Sequence, residues 1–162
     1  MKKVALAVLV LGLAAGIGTG QAFAQDKKVE FSLNLSVLSS FSGEYGFEDI
    51  GLGLIPQLDI RLAKRFMISP EIMIFTDFEF GGVYIFPGLL LNYAGKGVFA
   101  GAGITLPMAI NLGWWGAEVD PPGLKVNIGY RGKHINLTAY LITTFQDMFA
   151  DNLIGAGIGY RF

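Results

Sequence analysis

Leu153-Ile-Gly-Ala-Gly-Ile-Gly-Tyr-Arg-Phe162 is the stretch whose reading decides the fold. Counting back from Phe162, every second residue is apolar: Tyr160, Ile158, Ala156 and Ile154. Between them stand Arg161, Gly159, Gly157, Gly155 and Leu153. A period of two gives a strand two distinct faces, whereas a helix would scatter these residues around its axis. One face is aromatic near its end and aliphatic above; the other is mostly glycine and finishes in a charge. A face this apolar, closed by aromatic rings, suits a strand that meets lipid on one side.

Seven more segments repeat the pattern. They cover 29–41, 50–62, 68–80, 83–93, 98–111, 124–131 and 135–145. In the first, Val29, Phe31, Leu33, Leu35 and Val37 alternate with Glu30, Ser32, Asn34 and Ser36. Tight turns follow the second, fourth and sixth strands, at 63–66, 95–97 and 132–133; the third leaves through Gly81-Gly82. Longer connections are expected after the first, fifth and seventh strands, at 42–49, 112–123 and 146–152. An even strand count with short turns at one end and longer loops at the other is the arrangement of a barrel wall in the outer membrane. About ten residues at ~3.3 Å each, tilted near ~40°, span about 25 Å of bilayer. The expected fold is therefore all-β: an eight-stranded antiparallel up-and-down transmembrane β-barrel.

Aromatic residues collect at the strand ends. Phe66, Tyr93, Tyr130, Tyr160 and Phe162 fall at one end, and Phe41, Phe78, Phe80, Trp114, Trp115 and Phe145 at the other. Two interfacial girdles are expected. Upstream of the strands, Met1-Lys-Lys precedes an apolar run and then Ala22-Phe-Ala24. This describes a secretory signal peptide over 1–24, cut after Ala24, ahead of a barrel domain over 25–162. There is no cysteine, so lipid attachment through a thiol and disulfide bonding are excluded. Lys+Arg number 12 against Asp+Glu 13, two of the lysines lying in the leader, so no basic surface invites nucleic acid. A helical membrane span would need about 20 apolar residues. The best stretch, 98–117, is broken by Gly101, Gly103, Pro107 and Gly113.

The alternation also assigns the lumen. Gly51, Gly53, Gly88, Gly101, Gly103, Gly129, Gly155, Gly157 and Gly159 face inward, leaving room for long side chains from the opposite wall. Glu30, Asp59, Arg61, Glu71, Arg131 and Arg161 face inward near the turn end, where charges must pair, so a salt-bridged plug is expected. Lys27, Lys28, Lys64, Arg65, Lys96 and Lys133 crowd the same mouth. Glu44, Glu48, Asp49, Asp77, Glu79, Glu118, Asp120, Asp147 and Asp151 belong to the other half, with Lys125 the one nearby cation. Acidic loops there are solvated or share divalent cations with lipid phosphates, without the ordered spacing of a dedicated calcium site. Pro56, Pro70, Pro87 and Pro107 conflict with the strands they sit in, because each removes a ladder donor and a closed barrel has no edge. A bulge beside Pro87-Gly88 is one way to absorb this.

Terminal Phe162 with Tyr160 two residues earlier resembles the assembly signal on the last strand of bacterial outer-membrane barrels. The chain from residue 25 onward is similar to the small eight-stranded barrels of the OmpA and OmpX type. The resemblance rests on architecture and this signature, not on a family-specific motif, and it implies no function of its own. It implies an integral protein of the bacterial outer membrane with both mature termini periplasmic. The surrounding partners would be outer-membrane lipid and lipopolysaccharide, and Tyr160 and Phe162 would engage the barrel-assembly machinery. The chain would be a monomer acting structurally or through its extracellular loops, with no nucleic acid, no metal and no cofactor. Two alternatives remain: a narrow conduit for small solutes, and a lipid-modifying enzyme. Outer-membrane lipid deacylases of this size use His and Ser two residues apart near the outer leaflet. Here the lone His134 is followed two residues on by Asn136, at the turn end, so no catalytic residue is assigned.

Overall fold

The computed structural model describes residues 29–42, 46–77, 82–111, 116–145 and 151–162. The signal peptide and its cleavage site lie outside the described residues. Among the described residues the backbone forms ten strands: β1 (Val29–Ser42), β2 (Gly46–Arg61), β3 (Phe66–Asp77), β4 (Gly82–Gly95), β5 (Val98–Thr105), β6 (Met108–Asn111), β7 (Gly116–Val119), β8 (Gly123–Arg131), β9 (Ile135–Thr144) and β10 (Asp151–Arg161). Their order is β3-β2-β1-β10-β9-β8-β5-β4, and β4 pairs back onto β3. All pairings are antiparallel, so eight strands close into a barrel; β6 and β7 continue the lines of β5 and β8, with β6 still paired to β4 within the wall.

Closure places β10 between β1 and β9. Ser32 to Ser42 pair with Arg161 to Asp151 without a register break, and the Phe162 amide donates to the Phe31 carbonyl at 3.0 Å. The closing seam therefore leaves no open sheet edge between β1 and β10, which hydrocarbon surroundings would require. The turns after β2, β4 and β8 are short, as their glycines and charges foretell. Gly97, at φ 87°, takes the left-handed conformation that the Lys96–Gly97 turn needs. The opposite end departs from expectation. β1 and β2 run on until only 43–45 separate them, and β7 occupies part of the expected 112–123 loop. The connections outside the described residues at that end are 43–45, 78–81, 112–115 and 146–150; those after β1 and β6 are shorter than expected, whereas the one after β9 keeps close to its expected bounds.

The prolines are accommodated in pairs, each pair on one seam. On β2–β3 the ladder breaks between Leu54↔Ile74 and Gln57↔Glu71 and again before Ile60↔Ile68, beside Pro56 and Pro70. The flanking seams run through both prolines, with Leu33↔Pro56 and Pro70↔Leu89 intact. On the other seam, β4 pairs with β5 up to Thr105 and with β6 from Met108, skipping Pro87 and Pro107. The register does not shift there, so the expected bulge at Pro87-Gly88 is absent. The Pro87 carbonyl still accepts from the Leu106 amide at 2.9 Å. A shift occurs instead at Ser39/Ser40 on the β1–β2 seam. Residues 120–122 also bulge against 106–107 where β7 passes into β8. Pro121 and Pro122 sit in that extra residue's loop, with the Asp120 amide held by the Pro107 carbonyl at 3.0 Å.

The two faces separate as the alternation requires. Leu35, Leu54 and Ile158, cross-strand neighbours on the outside, are each about half exposed, as are Leu33, Val37, Leu89, Ile104, Ile128 and Leu137. An apolar band of this extent on a soluble monomer would be unusual. At the turn end the rings of Phe66 and Tyr93 meet edge-on at 5.4 Å, Tyr160 meets Phe162 at 5.1 Å, and Phe31 meets Phe162 at 5.6 Å. Phe31 joins this girdle although the strand-end reading omitted it. Of the second girdle, Phe145 is exposed and Phe41 half-buried, while Phe78, Phe80, Trp114 and Trp115 lie outside the described residues.

Candidate functional site

The lumen is built in layers by inward residues of all eight wall strands. The glycines among them do face inward, but not to admit side chains from across the barrel. Tyr140 lies over Gly155 and Phe75 over Gly53, and in each case the ring belongs to the residue paired directly across the seam. A Cβ on Gly155 would strike the Tyr140 ring, so the aromatic covers its own neighbour's missing side chain.

In the half towards the opposite end, Leu38, Ile55, Met73, Phe75, Phe86, Tyr140 and Ile142 form one buried cluster, with Leu153 packed against it. Phe75 and Phe86 meet edge-on at 6.1 Å, and Met73 has no exposed surface. This apolar stopper adds to the expected plug. It fills the cross-section of an interior that eight strands leave only wide enough for side chains.

Below it the charges pair. Lys125 Nζ bonds Glu71, donates to Met73 Sδ at 3.1 Å and sits 4.5 Å from the centre of the Tyr140 ring. Tyr140 Oη and Ser36 Oγ share a 2.7 Å hydrogen bond, and Ser36 Oγ donates to the Ala156 carbonyl at 2.9 Å. Nearer the turn end Arg131 bonds Asp59, whose Oδ1 also accepts from Ser69 Oγ at 2.5 Å and Gln57 Nε2 at 2.7 Å. Asn92 Nδ2 donates onward to Ser69 Oγ at 2.8 Å. Glu30 lies 3.3 Å from Arg161 and 4.0 Å from Arg131. Three carboxylates thus face three cations in a layer that water scarcely enters, the condition under which buried charge is tolerated.

The structure brings together five of the six charges expected in the plug: Glu30, Asp59, Glu71, Arg131 and Arg161. Arg61 is a correction: it is exposed at the mouth, because β2 ends there and its side chain clears the rim. Lys125 is the residue the sequence reading misplaced. It belongs to the buried layer and not to the acidic half, being only 2% exposed. His134 sits in the exposed β8–β9 turn with its ring stacked on Tyr160 at 5.7 Å, whereas Asn136 is buried in the lumen. Of the acidic residues expected at the opposite end, Glu118 and Asp120 are exposed; the side chains of the other seven lie outside the described residues.

The turn-end mouth opens into a cleft of about 560 Å³. Arg61, Lys64, Arg65, Lys96, Arg131 and Arg161 line it, together with Met67, Tyr93 and Val98, and no acidic residue does. Arg65 is braced by a 2.8 Å hydrogen bond to Tyr93 Oη, and Arg131 by one of 2.7 Å to Met67 Sδ.

No protein-family model and no curated protein sequence matches the chain. Solved structures do resemble it. Neisserial surface protein A aligns with a TM-score of 0.59 at 10% identity, over 85% of this chain and 98% of that one. The de novo designed barrel TMB2.3 aligns at 0.50 and 13% identity, over 85% and 98%. Ail, the attachment invasion locus protein of Yersinia pestis, aligns at 0.49 and 12% identity, over 84% and 98%. With identities this low the likeness is one of fold, and that fold is the closed eight-stranded antiparallel barrel built here from residue alternation and register.

Proposed function

We propose that this chain is an integral protein of the bacterial outer membrane, a sealed monomeric barrel with no catalytic step, acting through its wall and its rims. The observation that carries the reading is the pairing of an outward apolar band with a lumen closed twice, by the stopper around Phe75 and Phe86 and by the ion-paired layer beneath it. A conduit needs an unobstructed polar path, and a buried Met73 and Ile142 oppose one. Lipid and lipopolysaccharide surround the band, and the turn end with both mature termini faces the periplasm, where Tyr160 and Phe162 engage the assembly machinery. The other end offers the β6–β7 tip and the connections between strands, so contact with partners there runs through that rim. The shared fold with a Neisserial surface protein is consistent with such a role.

Planar-bilayer recording of the refolded mature chain tests the sealed lumen. The wild type gives no conductance steps, and neither does Phe75→Ala/Phe86→Ala, because the ion-paired layer still closes the lumen beneath the emptied stopper. Discrete steps from the wild type would replace this reading with the conduit.

A further inference from the structure

The cationic cleft at the turn end has a composition that the sealed wall does not require. Of its six basic residues, Arg131 and Arg161 pair below with Asp59 and Glu30, and Arg65 is braced by Tyr93. Arg61, Lys64 and Lys96 have no carboxylate partner among the described residues, and the lining holds no acid to neutralise them. Like charges held around one concavity repel each other, and the low-dielectric wall behind them focuses their field outward. Arg131 forms the floor, its side chain a tenth exposed and its Nε without a hydrogen-bond partner. The cleft volume is that of a small-ligand site.

We propose that this cleft binds an anion carrying two or more negative charges on phosphate groups. Guanidinium groups suit phosphate oxygens because their paired N–H donors match them two at a time, and lysines add point charge at the edge. The unpaired cations call for more than one negative charge, so a diphosphate fits better than a single monoanion. A lipid headgroup or a soluble phosphate compound presents the same chemistry. Tyr93 and Val98, which turn outward on the wall, lie on the side from which a headgroup would enter.

Calorimetric titration of the detergent-folded full mature chain with inorganic pyrophosphate tests this. Saturable binding is expected, weaker for orthophosphate, and lowered about tenfold in Lys64→Ala/Lys96→Ala, roughly the loss of two modest charge contacts. Both substitutions lie in exposed turns, and an unchanged heat-shifted gel position shows the variant is folded. Lys133→Ala, outside the lining, leaves affinity unchanged. Native mass spectrometry of protein extracted from mixed cardiolipin and phosphatidylcholine vesicles then separates the sources, since the cardiolipin headgroup carries two phosphates. Cardiolipin retained by the wild type and lost by the double variant identifies a headgroup; pyrophosphate binding without retention identifies a soluble anion. Absence of both, or pyrophosphate binding that the double variant leaves unchanged, overturns the proposal.

Discussion

Lys125→Met will destabilise the barrel by about 3–5 kcal/mol, the usual loss when one member of a buried ion pair is removed. Lys125 and Glu71 side chains are each only 2% exposed. Without the ammonium group, Glu71 faces Met73 and the Tyr140 ring, and neither can compensate a carboxylate. The nearest other cations are committed, Arg131 to Asp59 and Arg161 to Glu30. Adding Glu71→Leu should restore most of the loss, because apolar residues of similar volume often replace a buried pair at little cost. Urea titration of the chain folded into vesicles, scored by the unheated gel band, measures both variants. A single variant as stable as wild type, or a double variant no better than the single, would show that the layer is not closed to water.

The second large effect lies on the outer wall. Leu35→Arg should cost about 2–4 kcal/mol in vesicles, since a charge on the lipid face is most expensive at the bilayer midplane. Leu35 sits midway along the outward face of β1, between Leu54 and Ile158, and is 54% exposed. Phe66→Arg, in the aromatic ring at the turn end, should cost less than about 1 kcal/mol by the same depth dependence. If that surface faced water, Leu35→Arg would be neutral. The contrast between the two positions therefore reads membrane depth and not packing, and equal effects at both would argue against a bilayer around the band.

Much of this architecture was legible because a two-residue period is all that a barrel wall demands. The outward set from Val29 to Val37 and from Ile154 to Phe162 followed from alternation alone. So did the inward direction of Glu30, Asp59, Glu71 and Arg131. Depth was less accessible. Lys125 stands at an inward position of β8, but its height depends on where the strand continues. The bulge at 120–122 and the short β7 beyond it hide that from periodicity. The glycines announced a narrow interior without naming what covers them, since Gly155 meets Tyr140 only through a register the sequence does not spell out. The prolines posed the same problem. Whether a missing amide faces the left or the right neighbour decides which seam loses a bond, and only pairing shows that Pro56 and Pro70 share one. The basic mouth was visible as a charge imbalance; the cleft that collects it required Arg131 and Arg161 to be seen from below.

The most direct test of the barrel's orientation towards lipid is the collision accessibility of a nitroxide moved one residue at a time from Leu33 to Val37 in vesicles. Leu33, Leu35 and Val37 should be reached by oxygen and shielded from a water-soluble nickel chelate, while Asn34 and Ser36 should be reached by neither. Nickel access at Leu35 equal to that at an exposed turn residue such as Lys64, or a profile without alternation, would contradict a closed sheet with its apolar side in the membrane.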